Sequence, residues 1–237
     1  MAAWLFHLRA AEMVLSGLAE NPSSAPELTH WYMGNLAPDC GVPVGFAEYV
    51  PAKDITHFHG EAGTDPEKYA RQYLTSEARR QYDRQQLWFL LGYYIHLCVD
   101  EFWKVHVLIP EKERYAALLA RDKKAFYTLV KADWYDQEIL WLGKRYEAGK
   151  LFAPLEMLMR QTEFPNRYLD FFPPDAFTLR LASLREQYVP EVILPKLPAV
   201  SREYPVLSPA EEEALLARLS PSLCRTINHK FHTGTAV

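Results

Sequence analysis

One segment restricts this chain more than any other. From Trp88 to Val99 nearly every residue is apolar, yet His96 stands inside the run and Asp100 closes it. These twelve residues fall well short of the roughly 20 that a membrane-spanning helix needs. They read instead as the buried half of a long helix from about Ser76 or Glu77 to Leu108. That helix is polar over Glu77 to Gln86, apolar from Leu87 onward, and stopped by Pro110. Residues four apart share a helix face, so His96 and Asp100 project together, and Gly92 one turn earlier leaves room beside them. A buried ionised carboxylate is costly without a partner. A divalent cation held by both groups would remove that cost, and so would a neutral hydrogen-bonded His–Asp pair.

The rest of the pattern is also mostly helical. Trp4 to Leu18 carries apolar residues at 4, 5, 8, 11, 14, 15 and 18, a helical stripe ended by Asn21–Pro26. A loop-rich stretch rich in Pro and Gly is expected from Asn35 to Gly63. Asp65 and Pro66 form a cap and first residue for a helix to about residue 74. Further helices are expected over Pro110–Leu119, Lys123–Tyr146, Leu151–Gln161 and Asp175–Tyr188. Pro190, Pro195, Pro198 and Pro205 then predict an extended crossing segment. Ser208-Pro-Ala-Glu211 is a capping signature that opens a last helix to about Leu219. The tail beyond Ser220 is weakly patterned, with His229 and His232 expected to be exposed. The expected fold is all-α: a single helical domain over residues 1–188 with a Pro-rich extension over 189–237.

Composition limits the function classes. At 237 residues, 49% apolar and 24% charged, the chain can bury a core without disulfide staples. Net charge of −4 weighs against a polyanion binder, though a local basic groove stays open. Cys40, Cys98 and Cys224 lie far apart with no CxxC, which fits reduced thiols. The apolar start is broken by His7, Arg9 and Glu12 and reads as an amphipathic helix, so a cytoplasmic location is expected. The oligomeric state is left open.

His96 and Asp100 have company. His7 lies in the first helix, Asp39 follows Gly34-Asn35-Leu36-Ala37-Pro38, His57 sits in Thr56-His57-Phe58, and His106 comes six residues after Asp100. Imidazole and carboxylate together suit zinc and its first-row neighbours. In this order, with Leu91-Gly92-Tyr93-Tyr94-Ile95-His96-Leu97-Cys98-Val99-Asp100-Glu101-Phe102-Trp103 as the longest motif, residues 3–140 resemble the bacterial zinc-dependent phospholipase C family. That family is related in fold to the fungal zinc-dependent single-strand nucleases. The opening Ala3-Trp4-Leu5-Phe6-His7-Leu8 resembles the start of its intracellular members.

The resemblance implies an all-helical fold and a trinuclear zinc cluster that hydrolyses phosphodiesters. Asp39, His57, His96 and Asp100 would hold one zinc, and Asp100 would bridge to a second that His7 also binds. His106 would belong to the remaining zinc, and Asp39 would double as the base that orients the attacking water. Two departures stand out. The family's processed N-terminal Trp supplies ligands, whereas Trp4 is internal here. The family's later HxxxE ligands are missing, since no His lies between His106 and His229. Asp133 and Asp136 could replace them as an i, i+3 pair, with Glu138 a lesser candidate; the same segment also reads as a solvated helix face. One or two zinc ions are therefore favoured over three. On a straight helix His106 would sit roughly 120° off the face of Asp100, so it joins only if the helix bends. His59 competes with it, and His30 forms a lone ExxH.

The expected activity is metal-dependent hydrolysis of a phosphodiester or phosphomonoester, with a small or lipid-like phosphodiester favoured over nucleic acid. The alternative is a non-catalytic interaction protein with a partial or vestigial metal site. An HD-type phosphohydrolase would need a His-Asp dipeptide, which this chain lacks.

Overall fold

The structure is a computed structural model that describes residues 3–45, 48–200, 204 and 206–231. Helix α1 (Trp4–Leu15) ends before the apolar stripe does, because the chain turns at Gly17. A Cβ built on Gly17 would lie 2.6 Å from Cys224 Sγ, so glycine lets the two segments pack closely there. Helix α2 (Ala25–Leu36) is capped by the Ser24 hydroxyl, which accepts from the Glu27 N–H at 3.3 Å. The six residues Trp31 to Leu36 are all buried, so α2 has no polar face and little periodicity to betray it.

The stretch expected as loop is partly ordered. A 3₁₀ turn (Ala37–Asp39) leads into an antiparallel hairpin of β1 (Val42–Gly45) and β2 (Glu48–Val50), with Val42 opposite Val50. A short helix α3 (Lys53–Thr56) follows. Helix α4 (Pro66–Tyr73) starts as expected, with the Asp65 carboxylate accepting from the Lys68 N–H at 2.9 Å.

The single long helix is a correction. Helix α5 (Ser76–Arg79) breaks off, and Asp83 caps a new helix α6 (Arg84–Trp103) by accepting from the Gln86 N–H at 2.8 Å. Nor does Pro110 stop the chain. A π-helical turn (Lys104–Leu108) joins α6 to α7 (Ile109–Arg114), and Pro110 is the second residue of α7. The wider turn accommodates a residue without an N–H where a regular helix would clash. Helices α8 (Ala116–Arg121), α9 (Lys123–Glu147), α10 (Ala153–Met159) and α11 (Ala176–Gln187) complete the middle of the chain.

The Pro-rich segment is helical, not extended, over residues 190–199, and Pro205 lies outside the described residues. It forms α12 (Pro190–Ile193) and a 3₁₀ turn (Leu194–Ala199), because Pro190 and Pro195 stand in first turns, where a missing N–H is harmless. Leu197 packs on α9 so closely that a Cβ on Gly143 would lie 2.5 Å from it. The weakly patterned tail is also a correction. Helix α13 (Pro209–Phe231) runs through Pro221 and buries Leu223, Cys224, Ile227 and Phe231. Ser208 and Glu211 cap its start reciprocally, at 3.3 and 2.7 Å. His229 is exposed, and His232 lies outside the described residues.

Apart from the two-stranded hairpin, the fold is all-α. Its centre is the crossing of α2 and α6. A Cβ on Gly34 would sit 2.0 Å from the Phe89 carbonyl oxygen, and one on Gly92 would sit 2.1 Å from that of Trp31. The space left by Gly92 is thus taken by the α2 backbone, which draws Asn35 and Asp39 up against the face of α6 that carries His96. Helix α13 packs along α1, and one apolar core runs through both.

Candidate metal centre

Five side chains from four segments converge: His7 from α1, Asp39 from the turn after α2, His57 just after α3, and His96 and Asp100 from α6. Two overlapping triads, His7–Asp39–His96 and His57–His96–Asp100, each have one potential ligand atom per residue within 4.8 Å of the others. His7, His57 and His96 are wholly buried, Asp100 is 3% exposed, and Asp39 is half-buried.

The carboxylate of Asp100 lies at the hub. Its Oδ1 is 3.4 Å from His7 Nε2, and its Oδ2 is 3.3 Å from His57 Nε2 and 3.7 Å from His96 Nε2. Asp39 Oδ1 lies 3.6 Å from His57 Nε2. These separations exceed the roughly 2.7–2.9 Å of charge-assisted hydrogen bonds. They match the ~3.3 Å between ligands that share a tetrahedral zinc with bonds near 2.0 Å. The rings of His7 and His96 are parallel, with centroids 3.8 Å apart.

The outer contacts orient the ring nitrogens. His96 Nδ1–H donates to the Asn35 carbonyl at 2.7 Å, which leaves Nε2 as a lone-pair donor facing Asp100. His57 Nδ1 lies 3.1 Å from the Lys53 carbonyl and 2.9 Å from the Thr56 hydroxyl. The Tyr93 hydroxyl, in turn, donates to the Thr56 carbonyl. The Nε2 atoms of His57 and His96 and both ring nitrogens of His7 are buried without a hydrogen-bond partner among the described residues. Buried polar atoms rarely lack partners, and lone pairs converging on two carboxylates are the donor set a divalent cation takes. The residues present therefore fit zinc.

Electrostatics agree. Burial pulls the His7 imidazole down to about 4, so it is neutral and able to ligate at pH 7. Burial pushes the Asp39 carboxyl up, but the Lys53 ammonium, with His96 and His57, outweighs this and holds it below the usual range. Asp100 is likewise held well below it, burial being outweighed by the imidazoles of His57, His7 and His96 that surround it.

Other expected ligands lie elsewhere. His106 is exposed on the π-helical turn, with its ring 4.2 Å from Phe102 and its Nδ1 3.4 Å from Arg218. The turn carries it away from the face of Asp100. Asp133 is fully buried, yet its Oδ2 accepts from the Val206 and Leu207 N–H groups at 2.8 and 3.4 Å. Gln137, one turn on, donates to the Leu207 carbonyl, so this polar face of α9 clamps the chain leading into α13. Glu138 is buried and accepts from the Leu5 N–H and, at 2.7 Å, from the Tyr188 hydroxyl. Asp136 is half-buried on α9, and neither triad includes it. His59 is exposed, and His30 Nδ1 bonds the Pro26 carbonyl at 2.7 Å.

A pocket of about 810 Å³ adjoins the cluster, and Asp39 is the cluster member that lines it. Lys53, 3.1 Å from Asp39 Oδ1, lines it too. Trp4, Tyr49, Trp134 and Tyr188 supply aromatic walls. Sequence reasoning missed Lys53, although it opens the short helix that ends just before His57. It also missed Arg180, a pocket residue with no local signal at all.

Among the described residues no helix is long and apolar enough to cross a membrane. No curated protein and no solved structure matches the chain. Residues 6–142, more than half of the chain, match the family described as zinc-dependent phospholipase C. That match spans every residue of the His/Asp cluster, and the chain belongs to the zinc-dependent phospholipase C family.

Proposed function

We propose that this protein is a zinc-dependent phosphoric ester hydrolase that cleaves a small or lipid-like phosphate ester. The observation that carries this reading is the ring of three buried imidazole Nε2 atoms, 3.3–3.7 Å from the Asp100 carboxylate. His57, His96, Asp100 and Asp39 would hold one ion. Because the two oxygens of Asp100 face different imidazoles, that carboxylate can also bridge to a second ion bound by His7. Bound zinc would supply a water activated at neutral pH and would offset the charge of the phosphate oxygens.

The chain's own groups do the rest. Asp39 stands where the cluster meets the pocket, ionised by Lys53, and can orient the attacking water and accept its proton. The Lys53 ammonium can bind a phosphate oxygen from the same place. The aromatic walls exclude water and receive the apolar part of the ester. The free cysteines suit a reducing compartment, as a cytoplasmic location would provide.

Elemental analysis of the purified protein should find one or two zinc ions per chain, and the zinc-loaded protein should cleave bis-p-nitrophenyl phosphate. A protein that takes up no zinc and stays inert under excess zinc would overturn the reading. The use of Asp133 and Gln137 to clamp the C-terminal segment favours a second reading, a non-catalytic protein with a reduced metal set. That reading expects His96→Ala to change neither metal content nor melting temperature.

A further inference from the structure

We propose that Arg180 is a substrate-binding residue of this pocket, and that the pocket selects phosphate esters carrying two negative charges. The inference rests on the hydrolase reading and specifies its substrate class. Arg180 lies on α11, outside the residues that match the family. Its guanidinium sits 3.9 Å above the Trp4 ring, and one terminal nitrogen donates to the Asp39 carbonyl. These contacts fix the fork beside the one cluster residue that reaches the pocket. The Nε–H is buried and has no acceptor among the described residues. A guanidinium fixed at the wall of a pocket is suited to an anionic oxygen.

The charge of the lining points the same way. Lys53, Lys131 and Arg180 line the pocket, and Asp39 is the single acid among the described lining residues. Lys53 is taken up by Asp39 at 3.1 Å, which leaves the charges of Arg180 and Lys131 uncompensated by the lining. A cationic head group would meet two like charges and no free carboxylate. A dianion, with its second charge on the reacting phosphate or on a neighbouring group, would meet two opposite ones. Trp134, Tyr135 and Tyr49 offer apolar surface for the rest of the molecule.

The test is calorimetric titration of full-length zinc-loaded and metal-free protein with phenylphosphonate, above its second pKa, and with its singly charged methyl ester. Wild type should bind the dianion about tenfold more tightly than the monoanion. Arg180→Gln should remove most of that preference at unchanged zinc content. Arg180→Lys, which keeps the charge but not the fork, should keep part of it. If Arg180→Gln fails to fold, Lys131→Gln, at an exposed position, should still lower the preference about threefold. Equal affinity for the two probes in wild type, or a preference that neither variant moves, overturns the inference. A protein that binds zinc and cleaves bis-p-nitrophenyl phosphate but shows no preference loses this inference alone; one that binds no zinc and cleaves nothing loses the hydrolase reading. Preferential cleavage of phosphatidic acid vesicles supports the inference with a lipid source, and cleavage of p-nitrophenyl phosphate without vesicle cleavage supports it with a soluble one. Preference for phosphatidylcholine vesicles would contradict it.

Discussion

At the scale of single residues, the centre depends on imidazoles held by backbone carbonyls and one hydroxyl. His96→Ala removes the nitrogen common to both triads. The hydrolase reading expects zinc per chain to fall close to zero, measured by elemental analysis after dialysis. Thr56→Val is subtler. It deletes the hydroxyl 2.9 Å from His57 Nδ1 and leaves the ligand itself in place. Zinc affinity in a chelator competition should drop about 10–100-fold, as for other outer contacts of metal sites. His7 gives a pH signature in the metal-free protein. Its folded pKa is about 4, against an ordinary 6.5. Between these values the unfolded chain binds a proton that the folded chain refuses. The stability tied to His7 is therefore complete above pH ~6.5 and declines as pH falls toward 4, by about 3 kcal/mol in denaturant titrations.

Elements set the distances between those residues. The α2–α6 crossing brings two backbones together at Gly34 and Gly92, and a methyl group at residue 92 would collide with the Trp31 carbonyl at 2.1 Å. Carbonyls at a helix crossing cannot rotate away. Gly92→Ala should cost about 3 kcal/mol in thermal or denaturant unfolding. It should weaken zinc binding as well, since α2 positions Asp39 and α6 carries His96. The start of α1 depends on Glu138, whose buried carboxyl accepts from the Leu5 N–H. Burial raises that carboxyl to about 7 from an ordinary 4.5. The folded protein thus keeps a proton that the unfolded chain gives up over this interval, and stability falls as pH rises through it. Glu138→Gln lacks the effect. Relative to wild type, the variant should gain up to about 3 kcal/mol between pH ~4.5 and ~7, read from paired denaturation curves.

On the scale of the whole molecule, α13 secures the helix that carries His7. Arg9, on α1, makes ion pairs with Glu212 and Glu213, and the Arg9 and Glu212 side chains are both under 10% exposed. Arg9→Ala would leave the Glu212 carboxylate buried without its partner, and unfolding experiments should show a loss of about 3 kcal/mol. The legibility of the fold varied with burial. Caps at Asp65 and Ser208 could be read because capping is local chemistry, and α9 could be read from its length. Helix α2 and the second half of α13 could not. In the first, residues 31–36 are all inside, so no stripe survives; in the second, Pro221 suggests a stop that tertiary packing against α1 overrides.

Local signals along the chain suffice for the helical class and for the His and Asp residues that are candidates for the centre, since apolar period, caps and the i, i+4 spacing of His96 and Asp100 are all short-range properties. Which candidates meet is set by long-range packing. It brought His7, Asp39 and His57 onto α6, turned His106 to solvent on a π-helical turn, and committed Asp133 to the backbone of Val206 and Leu207. It also placed Arg180 beside Asp39, 141 positions earlier in the chain. The reason is physical: which side chains share a cavity depends on how helices cross and where the chain returns, and neither is encoded within a few residues of the groups involved.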